Sequence, residues 1–149
     1  MLHHFTEDRR EALTSAKPER AITLFYDQAI EHLLEAISAI ARNAIAERCN
    51  ATTATIEILG EMIQCMELEP GDEVGLNIER IHRFIIAGLP KVNLYNDAKF
   101  AAECVRLLRP LRDAFAAIER ETDAVEQQLA LRQTGGTGRP QLSLVTPAG

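Results

Sequence analysis

The sequence predicts an all-α protein, an antiparallel four-helix bundle. Three observations carry that expectation. Apolar residues recur at three- and four-residue spacings through four long segments. Aromatics are only 5% of the chain and Trp is absent, so Leu, Ile and Ala supply the packing, a composition that favours helix. No segment keeps the two-residue alternation of a strand, and turn residues fall between the periodic segments.

The first helix is expected over about 18–46. Pro18 suits a first helical turn, where its missing N–H costs nothing. Ile22, Phe25, Ala29, Leu33, Ala36 and Ile40 form one apolar row, and Tyr26, Ile30, Leu34, Ile37, Ala41 and Ala44 form a second beside it. Two adjacent rows suit a helix packed on more than one neighbour. Asn50 and the threonines at 52, 53 and 55 weaken the start of the second helix, in which Ile56, Leu59, Met62, Ile63 and Met66 make the apolar face. Pro70-Gly71 ends that stretch, and Asp72 is placed to cap the next.

The third helix aligns Val74, Ile78, Ile81, Ile85, Leu89 and Val92, with Glu79, Arg80, His82 and Arg83 assigned to its polar side. Gly88 and Pro90 interrupt its last turns, and Pro90 is expected to kink or fray that end. Asn93 and Asn96 supply turn chemistry at the junction. The fourth helix repeats Ala101, Cys104, Leu108, Leu111, Phe115 and Ile118, with a bend expected at Pro110 and an extension toward Leu131. The organisation is an arm over 1–17, a bundle over 18–132, and a Gly-rich flexible tail over 133–149.

A chain of 149 residues makes one domain with a core of its own. A net charge of -6 argues against nonspecific nucleic-acid binding, which depends on cations over phosphates. Cys49, Cys65 and Cys104 are scattered, without a C-x-x-C pair, and read as core fillers in a reducing compartment. The polar N-terminus shows no signal peptide and no apolar run approaches the ~20 residues of a membrane span, so the expected location is cytoplasmic.

Catalytic signatures are missing: no phosphate-binding glycine loop, no nucleophile elbow. Glu79-x-x-His82 matches one ligand pair of a di-iron bundle, but such bundles need two pairs and two further glutamates. The expectation is therefore no enzyme, no metal and no cofactor. Apolar residues outside the main rows (Cys65, Phe84, Ile86, Ala87) are the better lead. They point to a wider core, a homodimer surface, or a groove for a partner helix.

Several segments carry a family resemblance. They are Pro18 followed by Leu24-Phe25-Tyr26-Asp27, then Asn93-Leu94-Tyr95-Asn96-Asp97, then Leu111-Arg112-Asp113-Ala114-Phe115. In that order and separation they resemble the flagellar export chaperone family, FliS, over roughly 18–120. Gln28 stands where the family often has Gly, and Phe115 where it often has Trp. The resemblance implies a bundle that holds the disordered C-terminal segment of flagellin in an apolar inter-helix groove. It prevents premature polymerisation and aids secretion, with the flagellar export apparatus as a further partner. On that reading Ile56, Leu59, Ile63, Ile78, Ile81 and Ile85 line or support the groove. Asn93, Asn96 and Asp97 fix the junction and reach the partner, while Tyr26 and Asp27 stabilise the packing of the first helix. The alternative is a generic helical interaction or dimerisation adaptor, including a relative of that family that no longer binds flagellin.

Overall fold

The computed structural model describes residues 18–135, and those residues fold as four helices: α1 (Pro18–Ala41), α2 (Ile45–Cys65), α3 (Glu73–Tyr95) and α4 (Ala98–Gly135). Each helix packs on two others, α1 on α2 and α4, and α3 on α2 and α4; the α3–α4 seam is the thinnest. Short connections force antiparallel neighbours, the expected bundle. The expected arm over 1–17 and tail beyond Gly135 lie outside the described residues; positions 133–135, read as the start of the tail, are helical.

The first boundary differs from expectation. The first helix ends at Ala41 rather than near 46. Asn43 takes a left-handed conformation with φ of 55°. Its N–H bonds the Ile40 carbonyl at 3.1 Å, and the Ala44 N–H bonds the Ala39 carbonyl at 2.8 Å. These two bonds are a Schellman ending, with Asn in the place usually held by Gly. The second helix then starts at once, at Ile45. Thr52 and Thr55 are therefore interior to α2 and fully buried. Their hydroxyls donate to the Arg48 and Ala51 carbonyls one turn back, at 3.1 and 3.0 Å, which satisfies them inside the helix.

The other ends are capped as their residues suggest. Asp72 Oδ1 accepts from the Gly75 N–H at 2.8 Å and starts α3, after a turn in which Gly71 has φ of 90°. Asn96, with φ of 51°, stops α3, and Asp97 Oδ1 accepts from the Phe100 N–H at 3.0 Å to start α4. Pro90 and Pro110 sit inside continuous helices, so α3 runs on to Tyr95 without fraying at Pro90.

Tyr26, Leu33, Ile58, Leu59, Ile85, Leu89 and Leu108 make the centre of the core, with Ala29 and Ala101 where helices approach closely. Core rows chosen by spacing hold at Ile85, Leu89, Val92, Cys104 and Leu108. They fail at Val74 and Ile118, both exposed at the ends of their rows, and at Leu34 and Ala41 of the second row on α1, which are exposed too. Cys104 is packed, but Cys65, expected to be packed, is exposed.

Candidate functional site

An apolar opening lies at the end of the bundle where α1 begins, α2 ends and α3 begins. It is an apolar cleft of about 280 Å³. Ile22, Phe25 and Tyr26 of α1, Met62 and Cys65 of α2, Ile78 and His82 of α3 and Phe115 of α4 line it, with Met66 just past α2. Glu61 and Glu67 are the charged residues on its wall.

Tyr26 and His82 hold its floor. The Tyr26 hydroxyl meets His82 Nε2 at 3.0 Å, deep in the bundle. Tyr26 also stacks on Phe115, ring centres 5.7 Å apart. His82 is completely buried, not on the polar side of α3 as its chemistry suggested. Its position explains this: it falls four residues after Ile78 and three before Ile85, inside the apolar row. Burial lowers its pKa to about 4, so the ring is neutral at neutral pH. Burial raises the Tyr26 pKa well above its ordinary value, so the phenol keeps its proton. Taking the phenol as donor to Nε2, the imidazole proton sits on Nδ1, which is buried and has no hydrogen-bond partner. Asp27, one residue on, pairs with Arg112 at 2.6 Å and ties α1 to α4 on the surface.

The glutamate of the Glu79-x-x-His82 pair is also in use elsewhere: Glu79 pairs with Arg83 at 2.6 Å. Among the described residues no group of His, Cys, Asp or Glu is placed to hold a metal ion, and no helix is long and apolar enough to cross a membrane.

The residues expected to form a groove are distributed over three places. Ile78 lines the cleft. Leu59 and Ile85 are wholly enclosed in the core. Ile56, Ile63 and Ile81 are half-buried, with Ile56 and Ile81 packed against the core from outside. Asn93, Asn96 and Asp97 cluster at the opposite end of the bundle. There Asn93 Nδ2 donates to Thr52 Oγ1 at 2.8 Å, and the buried Arg48 donates from Nη1 to Asn96 Oδ1. About thirteen residues of α2 separate that cluster from the cleft wall, roughly 20 Å of helix. Phe25, Met62, Met66, His82 and Phe115 were missed as cleft residues. The available signal was their clustering near helix ends that must meet in an antiparallel bundle.

Comparison with known proteins follows the same outline. The sequence profile for the flagellar protein FliS matches residues 1–122. The flagellar secretion chaperone FliSB of Pseudomonas aeruginosa is 28% identical over 106 residues, covering 71% of this chain and 84% of that protein. The flagellar secretion chaperone FliS of Salmonella typhimurium is 25% identical over 118 residues, covering 78% of this chain and 87% of that protein.

Proposed function

This chain belongs to the flagellar protein FliS family, and from that membership and the apolar end cleft we propose that it is a flagellar secretion chaperone that holds the C-terminal segment of flagellin before export. The observation that carries the proposal is the cleft itself: a solvent-reached, nearly all-apolar depression that the bundle leaves unfilled. Laying apolar side chains of a partner into it removes surface from water, worth about 25 cal/mol per Å². Ordering a disordered segment costs several kcal/mol, which keeps the complex reversible. Occupying a segment that self-associates blocks assembly by mass action, without nucleotide.

In this reading Ile78 contacts the partner directly, with Met62, Met66 and Phe115 around it. Ile56, Ile63 and Ile81 extend the contact along the middle helices, and Leu59 and Ile85 support it from within. Asn93, Asn96 and Asp97 keep the α3–α4 junction in register and offer hydrogen bonds where a long segment reaches that end.

Retention of flagellin on the immobilised chain tests this, using full-length flagellin and a form lacking its last ~40 residues, an interface-sized segment. Only the full-length form is expected to be retained, and Ile78→Asp is expected to release it while circular dichroism stays unchanged. Equal retention of both flagellin forms contradicts the proposal.

A further inference from the structure

The outer face of α3 sets an exposed aromatic ring between exposed cations. Residues 79–112, which run from α3 into the first part of α4, hold seven basic and three acidic side chains, a net +4, so the remainder of this chain of net charge -6 carries -10. Arg80, Arg83 and Lys91 are the cations of that stretch on α3, and Arg83 pairs with Glu79. Within that basic stretch Arg80, Phe84, Ala87 and Lys91 follow one another at spacings of four, three and four, and all four are exposed. Phe84 is 55% exposed. It stands about 200° around the helix from His82, so this stripe turns away from the end cleft.

The stripe is anchored by a second ring. Phe100 of α4 meets Phe84 with ring centres 5.7 Å apart and planes at 55°. Gly88 makes this possible, because a methyl at that position would occupy the space of the Phe100 ring. The result is an exposed Phe84 ring backed by a half-buried Phe100 that packs on the core, with a cation at either end of the stripe. Among the described residues Arg80 reaches only the Asn77 side chain, at 3.3 Å, and Lys91 meets no carboxylate.

We propose that this α3 face is a second docking surface, separate from the end cleft, for an acidic protein segment bearing an aromatic or large aliphatic anchor. The anchor packs on Phe84 and Phe100, and carboxylates on either side pair with Arg80 and Lys91. Charge complementarity selects this occupant over the others. A second copy docking by the same face would set cations against cations. A polyphosphate would meet a chain whose remaining surface is strongly acidic.

Fluorescence anisotropy with the full-length chain and a labelled peptide repeating Glu-Glu-Leu-Phe tests the proposal. Binding is expected, weakening steadily as salt rises. Phe84→Ser is expected to weaken it at least about tenfold, and Arg80→Glu with Lys91→Glu by more. All three positions are exposed, and circular dichroism checks that the variants stay folded. The same variants are expected to retain flagellin as the unsubstituted chain does, so the two surfaces fail or succeed separately. No peptide binding by the unsubstituted chain, or equal binding by the variants, overturns the proposal. Tighter binding of an oligouridylate of matching length also overturns it, by assigning the face to nucleic acid.

Discussion

His82 makes the stability of the bundle depend on pH in a defined direction. Its folded pKa is about 4, against an ordinary 6.5, because burial disfavours the charged ring. Between those values the unfolded chain binds a proton that the folded chain does not. Stability therefore rises with pH through this window and is lost as pH falls from above 6.5 toward 4. Moving from about pH 7.5 to about pH 5 costs about 2 kcal/mol from this group alone, at 1.36 kcal/mol per pKa unit. Carboxylates titrate nearby, so the informative quantity is a difference between two proteins. His82→Phe fills the same interior space and carries no titrating group. It leaves the Tyr26 hydroxyl without its partner, an offset that does not vary with pH below the phenol's range. Urea unfolding followed by circular dichroism, at a series of pH values, gives the two curves. The expected result is that the native chain loses about 2 kcal/mol relative to the variant over that interval as the pH falls. Parallel curves would mean that His82 titrates normally and that its burial is wrongly placed.

Two further outcomes concern the backbone. Gly88→Ala is expected to destabilise the native chain, because the added methyl displaces the Phe100 ring. In a Phe100→Ala background it is expected to stabilise by about 0.5–1 kcal/mol, the ordinary helix preference for Ala over Gly. Urea midpoints of the four proteins decide it, and a stabilising effect in both backgrounds refutes the clash. Asn43→Gly is expected to raise stability by up to about 1 kcal/mol, and Asn43→Val to lower it, since position 43 is left-handed. Thermal unfolding of both checks the sign, and equal midpoints refute the assigned ending of α1.

Four helices and much of the core were legible because apolar spacing survives wherever a helix has a single buried stripe. The turn at 42–44 was not, because Ala41, Ala44, Ile45 and Ala46 carry the apolar rhythm across it while Asn43 does the conformational work of a glycine. Thr52 and Thr55 misled for a related reason. A hydroxyl that bonds its own helix backbone is as buriable as a methyl, and residue type alone does not reveal that bond. His82 was read by its chemistry when its position in the row was the better guide. The cleft was the hardest to foresee. Helical spacing identifies which residues share a face, whereas a cavity at a bundle end depends on how far four separate helices extend past one another. Leu59 and Ile85 share rows with Ile63, Ile78 and Ile81, yet they sit at the depth where the helices close up.

The cleft wall has its own way of reporting occupancy. The chain contains three methionines, and two of them, Met62 and Met66, face that opening. Unbranched thioethers reshape readily around unlike side chains, which suits the proposed role of this opening as a receptor for another chain. Their terminal methyl groups, labelled isotopically, give a nearly empty NMR spectrum in which filling of the opening is seen directly, at native sequence and without any reporter dye.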